Sequence, residues 1–421
     1  MTLFRKPIPV EEAVKRGMEV QQITKEEMVT LEESAGRVLA KDMYAPHPVP
    51  WFLRSPYDGY AVNAEATKAA GENSPIWLEV LGTIGAGDVW EGTVEINQAV
   101  KIMTGAAVPK GATAIIMREL TLEEVREGKT YVRIKRRLKD GENVSQIGED
   151  MKEGQLLVHK GTFINAGVAA LLATFGYETV PVCKKPRVGI IATGNELLNL
   201  GEELQPGKIR NSNAYMLQAQ VIRSGAEPVY FGKVGDTFES TVQVMEKAMK
   251  ETDLVLTTGG VSVGDFDYIP KAYEALGAKL LFNKIAMRPG SVTSAATAGD
   301  KLLFGLSGNP SACYVGFELF ARPVIRTMLN MDKPYLQKIQ AMLKTDIVKA
   351  NPFNRYVRSK LSFSEGRTYV EPSGRDKSNM VSSLAGANCL AVLPGGTRGW
   401  EAGSIVDVLL LDDQEGMAIW E

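Results

Sequence analysis

Hydrophobic and polar positions change period several times along the chain. Between residues 183 and 330, apolar runs of strand length alternate with amphipathic stretches of helix length. RVGIIAT, EPVYFGKV, DLVLTT, AKLLFNKIA and KLLFGLS read as strands. NSNAYMLQAQVIRSG, TFESTVQVMEKAMK and PSACYVGFELFARPVI read as helices, the first with Asn and Ser as caps. This alternation predicts a doubly wound α/β sheet, whose ligands bind beyond the carboxyl ends of the strands.

Other periods frame that region. Residues 1–45 read as helical, with ITKEEMVTLEESAGRVLAKDM rich in helix formers at amphipathic spacing. Pro46, Pro48, Pro50 and Pro56 then force extended or turn structure. IWLEVLGTI, VEINQAVKIM, ATAIIM and TYVRIKRRL are short β runs separated by turns. GENVSQIGEDMKEGQLL returns to loop, and NAGVAALLATFG is helical. Beyond Pro334, NRYVRSKLSFS, RTYVEP and SIVDVLLL predict a further β region. The expected organisation is multidomain α/β and β. Residues 1–45 with 141–182 form a host domain, 46–140 an inserted small β domain, 183–330 the central α/β domain and 331–421 a C-terminal β domain.

Composition narrows the function classes. The 421 residues are 44% hydrophobic and 23% charged, with formal net charge −2, so no global field gathers nucleic acid or an acidic membrane. No apolar run approaches the roughly 18 residues of a membrane span, and MTLFRKPIPVEEAV lacks the apolar core of a signal peptide. A cytoplasmic location is expected. Cys183, Cys313 and Cys389 are odd in number, far apart and set in apolar stretches, which predicts buried inert thiols. His47 and His159 are isolated, so a Cys/His zinc site is excluded. A catalytic metal would need oxygen ligands, as magnesium does.

The α/β strands end in polar loops marked by glycine: TGNEL, TTGGVSVGDFDY and LSGNPS, with IAMRPGS after a further strand. Several such loops at one sheet edge predict a concave site. SGNPS opens a helix; Gly308 permits close backbone approach, and Ser307, Asn309 and Ser311 offer hydrogen bonds. Its free amides and the helix dipole suit a phosphate, and Lys284 and Arg288 add positive charge. Glu196, Asp236, Asp265 and Asp267 would repel that phosphate unless a cation bridged them, which points to magnesium. Phosphate-loop and dinucleotide signatures are absent. GVSVG fits a nucleophile elbow, but no histidine follows it, so a hydrolase triad cannot be completed.

SPYDGYAV, IMTGAAVPKGA, GENVSQIGEDMKEG, ATGNEL, TTGGVSVGDFDY, KIAMRPG and LSGNPSA occur in one order. In that order they resemble the molybdopterin molybdenumtransferase family of bacterial MoeA and the gephyrin E domain. The resemblance implies a dimer whose active site lies between the α/β domain of one subunit and the β domain of its partner. It implies that adenylylated molybdopterin and molybdate give molybdenum cofactor and AMP, with a divalent cation. Upstream molybdopterin adenylyltransferase and downstream cofactor-handling proteins would be partners. Asp58, Thr104 and Asp150 match functional positions outside the α/β domain. Glu196, Asp236 and Asp267 match its acidic, metal-holding group, and Lys284 and Arg288 its basic pair. Arg358 and Ser378 match the C-terminal domain across a one-residue gap. The chain departs from the family pattern at Arg288, where many relatives have Lys, at Ser291, where relatives often have Lys, and at Leu53 and Arg54 before Asp58. The alternatives are an adenylyltransferase, which would use ATP and need no flanking domains, and a gephyrin-like scaffold.

Overall fold

A computed structural model of the protein describes residues 6–20, 22–235, 237–261, 268–349 and 352–411. The chain folds as two compact units, one made of residues 42–158 and 171–176, the other of the remaining described residues.

The first unit is built on a six-stranded sheet. Its spatial order is Ala114–Met117, Gly59–Val62, Gln98–Ile102, Ile76–Ile84, Lys129–Ile134 and Leu122–Arg126. Successive side chains of a strand point to opposite faces. Here both faces are covered: Tyr60, Val62, Ile116 and Val132 pack into one apolar cluster, Ala61, Val100, Ile102 and Ile115 into another. Gly59 is set by close approach. A Cβ there would lie 2.1 Å from the carbonyl oxygen of Ile116 on the neighbouring strand. The residue before it, Asp58, therefore leaves the sheet at a fixed point.

The second unit contains the α/β body. Its elements are β1 (Arg187–Thr193), α1 (Ser212–Arg223), β2 (Glu227–Val234), α2 (Phe238–Glu251), β3 (Leu254–Thr258), α3 (Ile269–Ala275), β4 (Lys279–Phe282), β5 (Ser294–Ala298), β6 (Lys301–Leu306) and α4 (Pro310–Gly316). The sheet order is β2-β1-β3-β6-β5-β4. The first four are parallel, and β5 runs antiparallel to both neighbours. Buried parallel strands read as unbroken apolar runs, as β1, β3 and β6 do. Helix α1 starts where the Asn211 side chain accepts from Ala214 N, and α2 where Thr237 accepts from Ser240 N. After α4 the helical path widens into one π turn, Phe317–Ala321, and continues over Arg322–Met328. Inside it, buried Glu318 accepts from Gln220 Nε2 at 2.6 Å and pairs with Arg223.

The C-terminal strands close into a small barrel. Asn354–Ser364 pairs with both Arg367–Pro372 and Cys389–Leu393, and Lys338–Leu343 and Ile405–Leu410 complete the ring. Met287–Arg288 joins its edge parallel to Asn354 and Arg355. That pairing ties a loop of the α/β body to the barrel.

Of the helical stretch expected over residues 1–45, the α-helix Val10–Met18 forms, but residues 23–43 form none. Glu26–Thr30 is a strand, paired antiparallel with Thr179–Cys183, and only the single 3-10 turn Glu32–Ser34 follows. Burial alternates residue by residue along Glu26–Thr30, so pairing with a distant segment outweighs the helix propensity of its glutamates.

Candidate functional site

The carboxyl ends of β1, β3 and β6 meet at Thr193, Thr258 and Ser307. Gly259 closes the gap between two of them. Its φ is +90°, and a Cβ would lie 2.5 Å from the carbonyl oxygen of Thr193. Asn213, in the first turn of α1, spans the same edge. Its Nδ2 donates to Thr258 Oγ1 and to the Gly308 carbonyl, both at 2.8 Å. A cavity of about 50 Å³ lies here, lined by Thr193, Glu196, Asn211, Asn213, Thr258 and Gly308 among others. Glu196 is exposed at its rim.

A larger cavity of about 500 Å³ opens between this edge and the barrel. Arg288, Ser307, Asn309, Lys349, Arg355 and Ser378 are on its wall. The parallel pairing that joins Met287–Arg288 to the barrel makes Arg288 the partner of Arg355. Asp376 organises the cations: Arg355 Nη1 lies 2.5 Å and Lys349 Nζ 3.6 Å from its Oδ2. With Lys377 also on the wall, four cationic side chains face one carboxylate. The excess positive charge suits an oxyanion, which forked guanidinium groups hold best.

Several expected residues reach this cavity and several do not. Arg288, Ser307, Asn309 and Ser378 line it, and Gly308 lines the smaller cavity beside it. Ser311 is fully buried: its N–H donates to the Ser378 carbonyl at 3.0 Å and its Oγ to the Met380 carbonyl at 2.6 Å. It positions the 378–380 segment. The amides of the SGNPS turn are also engaged, since Asn309 N donates to Ser307 Oγ at 3.2 Å and Pro310 has no N–H. The expectation of free amides is therefore corrected for those of Asn309 and Ser311, while the cations of the wall are placed to meet an anion. Arg358 is only 2% exposed. It donates to Ser383 Oγ at 3.0 Å and lies 3.6 Å from Asp376, while burial lowers its pKa and Asp376 opposes that shift. It braces Asp376 from behind the wall. Lys284 is half-buried and is not on the wall. Asp236, Asp265 and Asp267 lie outside the described residues.

In the first unit, Asp58 and Thr104 meet. Thr104 donates to Asp58 Oδ1 through both its N–H and its Oγ1, each at 2.8 Å. The backbone bond first, then the hydroxyl bond and nearby Arg118, hold the Asp58 carboxyl below its ordinary pKa. Asp150 is exposed, and its N–H donates to the Val49 carbonyl at 3.0 Å. Lys349, Arg355 and Asp376 are not singled out by the sequence; no polar loop pattern marks Arg355, the second residue of the strand run NRYVRSKLSFS. Among the described residues no cluster of three His, Cys, Asp or Glu side chains is placed to hold a metal. Cys183, Cys313 and Cys389 are buried and free, and burial pushes the last two thiols up to about 12.

An α/β body edged by a barrel and bearing a cationic cleft, in one chain with a β unit bearing a hydrogen-bonded carboxylate, matches the profiles of molybdopterin-handling proteins. Profiles for the MoeA N-terminal region (domains I and II), a probable molybdopterin binding domain and the MoeA C-terminal region (domain IV) match residues 8–176, 189–327 and 340–411. The chain is 53% identical to the molybdopterin molybdenumtransferase of Bacillus subtilis, over 98% of this chain and 96% of that one. It is 48% identical to that of Staphylococcus epidermidis, over 97% and 96%. A solved molybdopterin biosynthesis MoeA protein from Pyrococcus horikoshii superposes with a TM-score of 0.81 at 32% identity, over 96% of this chain and 100% of that one. The chain belongs to the molybdopterin molybdenumtransferase (MoeA) family of molybdenum cofactor biosynthesis.

Proposed function

We propose that this protein inserts molybdate into adenylylated molybdopterin and releases AMP, as a cytoplasmic homodimer using magnesium or a similar divalent cation. The observation that carries this reading is the cationic cleft of Arg288, Lys349 and Arg355 around Asp376, in a chain of this family. Molybdate is a tetrahedral oxyanion, and a guanidinium pair held by backbone pairing offers directed donors to it. Arg288 and Ser307 sit where the substrate's phosphate would contact the same wall. Glu196, Asp236 and Asp267 are the proposed hard oxygen donors, the chemistry that fits magnesium. Bound there, the cation would neutralise the phosphate against those carboxylates. Asp58, its proton held off by Thr104, is proposed to act from the partner subunit's β unit, with Asp150 as a further carboxylate.

The test is incubation with adenylylated molybdopterin and molybdate, measuring AMP. Molybdate-dependent AMP release is expected. ATP consumption with unadenylylated molybdopterin would instead assign the adenylyltransferase reaction. Chelation is expected to stop turnover while leaving the circular dichroism spectrum and thermal midpoint unchanged. Unfolding on chelation would reveal a structural metal.

A further inference from the structure

The parallel strands of the α/β body have a second end. At their amino ends, opposite the oxyanion cleft, lies a cavity of about 390 Å³. Strand β1 has seven residues, so the two ends of the sheet are about 20 Å apart. This cavity therefore shares no wall with the site described above. Its floor is apolar: the almost wholly buried Leu254, Leu302, Val324 and Met328 back it, and half-buried Val20 and exposed Ile23 supply its accessible apolar surface. The segment before residue 26 is clamped over one side: Thr24 N donates to the Met328 carbonyl at 2.8 Å, and Lys184 N to the Lys25 carbonyl at 2.8 Å.

Charge gathers at the rim. Lys25, Lys184, Lys185, Arg187, Lys250 and Lys301 line the cavity, against Glu251, Asp253 and Asp300. The net is +3 on a chain whose formal charge is −2. Two of the cations have partners: Arg187 Nε lies 3.6 Å from Glu227, and Lys301 Nζ 3.8 Å from Asp300. Asp253 is engaged as well, accepting from Arg187 N at 2.7 Å. Lys25, Lys184, Lys185 and Lys250 make no ion pair among the described residues, and Glu251 and Asp253, whose bond to a neutral N–H leaves its charge in place, offset only two of the four. Four ammonium groups around one concavity repel one another unless an anion joins them. A purely anionic ligand would not use the apolar floor, and an apolar ligand would leave the charge unmatched.

We propose that this cavity is a second ligand site, one that takes a phosphorylated small molecule with an apolar body. The phosphate sits among Lys184, Lys185 and Lys250, and the apolar body lies on Val20 and Ile23. The volume falls within the range of small-molecule sites, about 300–1,000 Å³.

Site-resolved lysine footprinting on the full chain tests this without interference from the oxyanion cleft. Lysines are acetylated with an N-hydroxysuccinimide ester, and the rate at each is read by peptide mass spectrometry. The probes are AMP, pyrophosphate and adenosine, which carry both features, charge alone and ring alone. AMP is expected to slow acetylation of Lys184, Lys185 and Lys250, with pyrophosphate weaker, adenosine inert, and protection fading as salt rises. In Lys184→Gln/Lys185→Gln, the AMP concentration that half-protects Lys250 should rise at least about tenfold. Both side chains are exposed, so the fold should survive; the wild-type footprint stands as a test by itself. Absence of protection by every probe would overturn the site. Equal protection by pyrophosphate and AMP would remove the apolar body from the assignment. Protection by polyglutamate but not by AMP would make the surface a protein-docking patch and sink the proposal.

Discussion

Asp58 and Thr104 show how two neighbours tune one proton. Both donors of Thr104 converge on one oxygen of the carboxylate, and a hydrogen bond to the charged form favours that form. The folded pKa lies below the ordinary value of 3.8. By linkage, the stabilisation from this contact is present above the unfolded pKa and is lost as pH falls through the folded one. Carboxylate NMR should place the Asp58 midpoint below the ordinary carboxylate range, and Thr104→Val should move it up by removing the hydroxyl bond. An unchanged midpoint in Thr104→Val would leave the backbone N–H and nearby Arg118 as the causes. Arg288 is the opposite kind of residue, a cation whose value lies in a directed contact. Arg288→Ala should weaken binding of adenylylated molybdopterin by about 10–150-fold, the worth of one charge-assisted contact of roughly 1.5–3 kcal/mol. Arg288→Lys should keep much of the affinity while losing the forked geometry. Titration calorimetry on the two variants separates these outcomes.

At the scale of elements, the cleft is made by a two-residue strand. Met287–Arg288 leaves the α/β body and pairs with Asn354–Arg355 of the barrel, so one backbone ladder sets the spacing of two guanidinium groups. Behind the wall, Ser311 fastens the 378–380 segment by its N–H and its hydroxyl. Ser311→Ala removes the buried hydroxyl bond and leaves the Met380 carbonyl short of a donor. A loss of about 1–3 kcal/mol in unfolding free energy, read from a lowered denaturant midpoint, is expected, with weaker oxyanion binding because Ser378 loosens. Wild-type oxyanion affinity in a destabilised Ser311→Ala would show that the segment does not need this anchor.

What could be read from the sequence follows the same divide. Local signals were clear: the apolar runs of β1, β3 and β6, the Asn211 cap and the loops that end the strands all act within a few residues. Ser307, Asn309 and Arg288 reached the cavity because such loops announce themselves. Ser311 carried the same local signal, yet its hydroxyl is spent on a segment nearly 70 residues later. Glu26–Thr30 was misread for a related reason, since its partner lies at Thr179–Cys183. Lys349, Arg355 and Asp376 gain meaning only from the barrel's closure, which no window of sequence contains. The small-residue strand β5 had no apolar run to mark it.

At the scale of the whole molecule, the residues proposed for the site divide between the two units. Asp58, Thr104 and Asp150 belong to the unit of residues 42–158, and Glu196, Arg288 and Arg355 to the other. If each active site takes its β unit from the partner subunit, damage to one unit can be complemented by damage to the other. In a heterodimer of Asp58→Ala and Arg288→Ala chains, one of the two sites carries both lesions and the other carries neither. Each variant homodimer should be inactive or nearly so. Mixing them with subunit exchange should restore up to about a quarter of wild-type activity. Half of the dimers in an equal random mixture are heterodimers, and each has one intact site. Exchange is verified by native mass spectrometry with one chain isotopically labelled, and activity is read as molybdate-dependent AMP release. A site contained within a single chain would give no recovery at any extent of exchange, because every chain in the mixture carries one lesion. Full exchange without recovered activity would therefore reject the shared site while leaving the cleft of Arg288 and Arg355 untouched.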